Sequence, residues 1–346
     1  MRGRNCQRGA FRMLRVASRS WRYVQRMKWK LLAGAGGVAG ALYVRRLARG
    51  RELLENPFGE VTRYYRWRGG KIAYTVAGEG EPVLLVHGIY AGASSHEFRR
   101  NFGELSRSFR VYAVDLLGCG LSDRPRRRYV PADITDQLED FVREEVGEAA
   151  HVIASSLGAA LFMPAAVRSP RLFRRLIFIC PTGLQSLNRR PGRLNRALYG
   201  LLYGPLGDPF YYALVSRPSL RYYLRNMAYH RPEAVSEGVL EQYYRTSHQP
   251  GAKYLPAAFI SGMLNLDVRG LYPRIPHQSL IVWGNEARTT PVGQAEAFLY
   301  GNPRSNLRIF RDAALLPHDE RAGKFNEISR RFLRSGSPGH AGRRAT

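Results

Sequence analysis

Acidic residues and cysteine are both scarce in this chain. Its 346 residues include 27 Asp and Glu against 54 Lys and Arg, a formal net charge of +27. The excess is almost all arginine and is spread through the whole length. With no helix-turn-helix, zinc-ligand spacing or aromatic RNA-binding motif beside it, that charge does not indicate nucleic-acid binding. The three cysteines, Cys6, Cys119 and Cys180, are odd in number and far apart, which excludes a disulfide framework. Cysteine and histidine also lack the spacing of a metal site, and the first buried strand runs into His87-Gly88-Ile89-Tyr90 rather than a glycine-rich phosphate loop. Neither a metal nor a cofactor is therefore expected.

What is present begins with a hydrophobic fraction of 45%, enough to build a real core over most of the chain. Residues 1–50 hold thirteen Lys or Arg and no Asp or Glu, so this leader is physically distinct from the rest. Arg4, Arg8, Arg12, Arg15, Arg19, Arg22 and Arg26 recur at steps of three and four beside Phe11, Leu14 and Trp21. That spacing predicts a basic amphipathic helix suited to an anionic membrane surface. A second reading starts the protein at Met27, where Met27-Lys28-Trp29-Lys30 leads into an apolar segment in the manner of a signal or anchor. That segment, 31–44, is fourteen residues long, short of the ~20 that span a hydrocarbon core unaided. Both membrane-associated and cytoplasmic locations stay open.

After the leader, Tyr64 to Val76 alternates like an antiparallel pair turning at Gly69-Gly70. Short apolar runs then follow at Pro82–His87, Arg110–Asp115, His151–Ser155, Arg175–Cys180, Ser279–Trp283 and Leu307–Phe310. Helix-length segments such as Asp133–Val146 and Leu157–Arg168 separate most of them. Strand alternating with helix predicts an α/β fold with a mostly parallel central sheet and helices on both faces. From 185 to 275 the rhythm stops, and a helical, tyrosine-rich, proline-punctuated stretch predicts a cap or lid. The expected organisation is a leader at 1–54, a core at 55–184 and 276–334, a lid at 185–275 and a loose tail at 335–346.

Four local patterns fall in order along the core. Val83 to Tyr90 ends a strand in a His-Gly turn; Asp115-Leu116-Leu117-Gly118-Cys119-Gly120 follows the next strand; His151 to Gly158 runs from strand to helix through Ser156 with small neighbours; and Ser279 to Gly284 is a late strand entering a loop. Together they resemble the α/β-hydrolase family across roughly residues 60–334. The segment Leu316-Pro317-His318-Asp319-Glu320, followed by Phe325-Asn326, looks most like the branch containing pheophytinase-type esterases.

The resemblance implies a serine-hydrolase site acting on an apolar or lipid-like carboxylic ester. Ser156 aligns as nucleophile in the Gly-x-Ser-x-Gly pattern, with Ala154 in place of the first glycine. The backbone N–H groups of Ile89 and Leu157 would serve the oxyanion, with His87, Gly88, Tyr90 and His96 lining the site. The acid and the histidine of relatives, however, fall on Ala287 and Leu315, which can neither accept nor relay a proton. Glu286 adjoins the first gap and His318 follows the second, which makes them the substitute acid and base to examine. His96, in the loop after the first pattern, and His230 and His248, in the lid, are the other histidines that the placement of α/β ligand sites at the carboxyl ends of strands leaves as candidates. Two functions stay open: a serine hydrolase with an irregular proton relay, or a non-catalytic relative that binds a hydrophobic ligand or a partner.

Overall fold

The computed structural model describes residues 54–335; the basic leader with its 31–44 segment and nearly all of the tail lie outside them. Eight strands form one sheet in the order β1-β2-β4-β3-β5-β6-β7-β8. β1 (Arg63–Trp67) and β2 (Gly70–Ala77) are the antiparallel pair. β2 also pairs antiparallel with β4 (Arg110–Val114), and from there every pairing is parallel. The remaining strands are β3 (Pro82–Val86), β5 (Ala150–Ser155), β6 (Phe173–Ile179), β7 (Ser279–Gly284) and β8 (Ser305–Phe310).

Every residue of β3, β5 and β7 is buried. Both sheet faces are thus covered, which is why these strands read as continuous apolar runs rather than alternating ones. On the sheet lie helices α1 (Phe102–Ser106), α2 (Pro131–Asp140) and α3 (Ser156–Arg168). Helix α2 runs on into a π-turn over Phe141–Val146, and Gly147, left-handed at φ 74°, ends it without the steric cost a Cβ would bring.

Between β6 and β7 the chain is helical: α4 (Arg193–Tyr203), α5 (Gly207–Leu214), α6 (Arg217–Tyr223), α7 (Glu237–Ser247) and α8 (Tyr254–Ile260). It then returns through β7, α9 (Ala295–Gly301), β8, α10 (Pro317–Glu320) and α11 (Ala322–Arg334). Within the insertion several tyrosines pack on one another, as Tyr199 on Tyr203, Tyr203 on Tyr254 and Tyr211 on Tyr212. Cys119 and Cys180 are free and buried. Because β3, β5, β7 and β8 are parallel, the loops that follow them all leave the same edge of the sheet. That edge gathers the His87 turn, Ser156, Ala287 and Leu315.

Candidate active site

Ser156 stands at the first position of α3, directly after β5, with φ at 49°. A side chain other than glycine in the left-handed region is strained, and such strain recurs where a turn must hold a reactive group outward. The serine is half-buried while Ser155 and Leu157 are buried on either side. Close packing explains Gly158, where a Cβ would lie 2.3 Å from the His87 carbonyl oxygen. The small residues around Ser156 thus do steric work, letting the strand-to-helix turn press against the loop after β3.

That loop is fixed by its own hydrogen bonds. His87 Nδ1 donates to the Gly88 carbonyl at 2.6 Å, and Nε2 accepts the Leu116 N–H at 3.1 Å. Both nitrogens are engaged, so His87 is a structural member of the turn. Asp115 is likewise absorbed, accepting the N–H groups of Ser95 and Leu121 at 2.6 and 2.7 Å. A Cβ on Gly120 would lie 2.1 Å from that carboxylate, which accounts for the glycine in the second pattern.

Glu97 is the site residue that the sequence did not disclose. It is buried, and its Oε2 accepts the Gly88 N–H at 3.0 Å and the Tyr90 hydroxyl at 3.0 Å. A Cβ built on Gly88 would lie 3.4 Å from Glu97 Oε2 and 3.4 Å from Ser156 Cβ. The carboxylate and the serine therefore face each other across Gly88, separated by no more than those two distances combined. Oε1 of the same carboxylate lies 3.4 Å from His318 Nε2, and both side chains are fully buried. Burial pushes the Glu97 pKa up, but His318, with help from Ser155 and His87, more than offsets it and holds the group below the usual glutamate value. A negative charge consequently sits at the turn where a negative oxyanion would have to develop.

His318 lies between Phe98 and Phe325, with ring centroids 5.1 and 5.7 Å away. Its acidic neighbour is Glu97, not Glu286. Glu286 is exposed and its carboxylate accepts from Asn285 Nδ2 at 2.8 Å, so the expected pairing of Glu286 with His318 is not formed. Among the described residues no imidazole hydrogen-bonds the Ser156 hydroxyl. His230 uses its backbone N–H on Glu320 at 2.8 Å, and His248 stacks on Tyr244 and contacts its carbonyl oxygen at 2.8 Å. Ala287 and Leu315 are buried, and the Leu315 N–H donates to the Ala228 carbonyl in the insertion. No three His, Cys, Asp or Glu side chains among the described residues converge as a metal site.

The insertion closes over this edge. Tyr243 stacks on Tyr90 at 5.4 Å with planes 8° apart, and its hydroxyl donates to Tyr90 at 3.2 Å. Tyr90, Tyr243 and Tyr223 all have pKa values raised by burial and then by the Glu97 charge or one another. A second tie is Asp319, which accepts from Arg99 Nη2 and from the Tyr229 hydroxyl, both at 2.6 Å. Glu320 adds a third, accepting the N–H groups of Ala314 and His230 at 2.7 and 2.8 Å.

His96 has its pKa lowered to about 4, first by burial and then by Arg99. Since the unfolded chain takes up this proton near the usual histidine value of 6.5, stability is full above that pH, falls as pH drops towards 4, and is level below. The contribution is at most roughly 3 kcal/mol. Urea unfolding at about pH 7.5 and 4.5 should show that loss in the parent chain and a smaller one in His96→Gln. An unchanged pH dependence in the variant would remove His96 as its source.

Comparison with known proteins agrees with this architecture. The profile of the alpha/beta hydrolase family matches residues 83–328. The 2-hydroxy-6-oxo-6-phenylhexa-2,4-dienoate hydrolase of Comamonas testosteroni is 25% identical over 271 residues, covering 76% of this chain and 91% of that protein. Among solved structures, the 2-hydroxy-6-oxo-6-phenylhexa-2,4-dienoate hydrolase of Rhodococcus sp. strain RHA1 superposes with a TM-score of 0.66 at 19% identity, covering 80% of this chain and 99% of that one. A membrane phospholipase A, described as a bacterial virulence factor, gives 0.64 at 20% identity, covering 90% and 97%. At these identities the two structures speak to the fold alone.

Proposed function

Because the chain belongs to the alpha/beta hydrolase family, we propose that it is a catalytically silent member, which keeps the family scaffold and works by binding. The observation that carries this is the buried Glu97 carboxylate at the Gly88 turn beside Ser156, which its His318 neighbour holds below the usual glutamate pKa. A developing oxyanion is stabilised by N–H donors in a dry site, and a fixed carboxylate there opposes it. Leu315 and Ala287 point the same way, since a serine hydroxyl needs a base in reach to attack at neutral pH. Tyr90, bonded to Glu97 and stacked on Tyr243, packs against the Gly88 turn beside the serine, which favours a partner met at the surface over a small apolar ligand held inside.

One observation favours the other reading, a serine hydrolase of apolar esters with an irregular relay. Ser156 keeps the strained left-handed conformation and partial exposure of a working nucleophile. Purified protein and Ser156→Ala should be compared with a fluorophosphonate probe and with p-nitrophenyl esters of short to long chain. The silent reading expects no Ser156-dependent turnover, with any residual rate no more than ~10³ to 10⁴ over water. Labelling and multiple turnover that vanish in Ser156→Ala would establish the hydrolase instead.

A further inference from the structure

Helix α4 carries two apolar faces where a helix packed on a core needs one. Tyr199 and Leu202 are buried, with 6% and 4% of their surface exposed, and form the inner face. On the outside, Leu194 is 85% and Leu201 44% exposed, and Leu206, just beyond the helix, is 78% exposed. Leu194 and Leu201 are seven residues apart and so share one side of the helix. Single exposed leucines are ordinary; three within thirteen residues, presented together by one short segment, mark a contact surface.

The charge around them is of one sign. Residues 185–207 contain four arginines and no Asp or Glu. Arg193 and Arg196 are exposed beside the leucines. Arg126, also exposed, lies over the Tyr203 ring at 5.6 Å, so the loop after β4 brings a further cation to the C-terminal end of the helix, near Leu206. Leucine interleaved with arginine and without carboxylates is the composition that seats a helix at a lipid interface, apolar side chains among the acyl chains and guanidinium groups at the phosphates.

We infer that the outer face of α4 and the Leu206 turn form a peripheral docking site for an anionic lipid bilayer. Charge complementarity selects this occupant over an apolar protein groove, which would not require the arginines; the nearest carboxylate in sequence, Asp208, is paired with Lys253. No helix among the described residues is long and apolar enough to cross a membrane, so the contact lies along the surface. The inference is independent of whether Ser156 turns over, because none of these side chains belongs to the Glu97 site.

The full chain should be mixed with phosphatidylglycerol/phosphatidylcholine vesicles and with phosphatidylcholine vesicles, and amide hydrogen exchange followed peptide by peptide. On the anionic vesicles, amides at 193–206 should exchange at least about fivefold more slowly, the partitioning expected from even one basic residue at such a surface. The effect should fade as salt shortens the Debye length. L194E combined with L201E should abolish it while leaving the thermal midpoint in place, since both side chains are in solvent. Protection confined to the arginine-rich leader, or equal protection at 193–206 on neutral vesicles, would overturn the inference. This local readout separates the helix from the leader within one molecule.

Discussion

A chain carrying Leu315→His, Ala287→Asp and Glu97→Gln together should hydrolyse an activated ester at least about a hundredfold faster than the parent, with the whole gain lost on Ser156→Ala. The first two changes return a base and an acid to loops that leave the same sheet edge as Ser156. In a serine protease that relay is worth up to about 10⁶ in turnover, and one oxyanion donor about 10² to 10³. These contributions do not add, and the restored groups lack the shell of contacts that orients them in a working enzyme, so only a fraction of either is expected. Glu97→Gln matters because it removes the charge facing the reaction while keeping an oxygen that can accept the Gly88 N–H. Leu315→His with Ala287→Asp alone should therefore gain less than the triple variant. Initial rates on p-nitrophenyl butyrate, alongside circular dichroism to establish folding, decide the matter. A folded triple variant with no Ser156-dependent rate would mean that restoring a relay and removing the carboxylate do not suffice to make Ser156 reactive.

Asp319→Ala should be the most destabilising single change at this edge, by about 3 to 5 kcal/mol, because it strands a guanidinium in the interior. The Asp319 side chain is 2% exposed and that of its partner Arg99 17%, so water cannot replace the lost carboxylate. The Tyr229 hydroxyl, 2.6 Å from the same oxygen, loses its acceptor too. For a chain of this size the thermal midpoint should fall by roughly 10 °C. Replacing the pair together, Arg99→Met with Asp319→Leu, should recover much of the loss, since an apolar pair needs no counter-charge. Hydrogen exchange should locate the damage first where Tyr229 joins the insertion to the core. A loss in Asp319→Ala below about 1 kcal/mol would show the pair to be hydrated and the insertion to be held by other contacts.

Much of the sheet edge was legible because its constraints are local. The His87 turn, the Asp115 loop and the Ser156 turn each follow a buried strand, and each needs glycine or a small residue where backbones touch; Gly158 against the His87 carbonyl is the plainest instance. His87, expected to line the site, is instead tied up in its own turn by two hydrogen bonds. Glu97 was not legible. It lies in Ser94-Ser95-His96-Glu97-Phe98, a stretch that looks like any polar loop, and its meaning comes from His318, 221 positions further along, and from Gly88 and Tyr90 behind it. Glu286 drew attention by lying next to a missing acid, yet its side chain turns to solvent.

The sequence by itself determined the α/β order of elements, the serine at the strand-to-helix turn and the presence of Ala287 and Leu315 in the loops after β7 and β8, because periodicity, glycine placement and residue identity are written locally. Only the tertiary structure decided which carboxylate meets His318, that this carboxylate faces Ser156 across Gly88, and that leucines on α4 are left outside. Side-chain pairing between segments hundreds of residues apart depends on how sheet order and the insertion bring them together. No local pattern of residues encodes that distance.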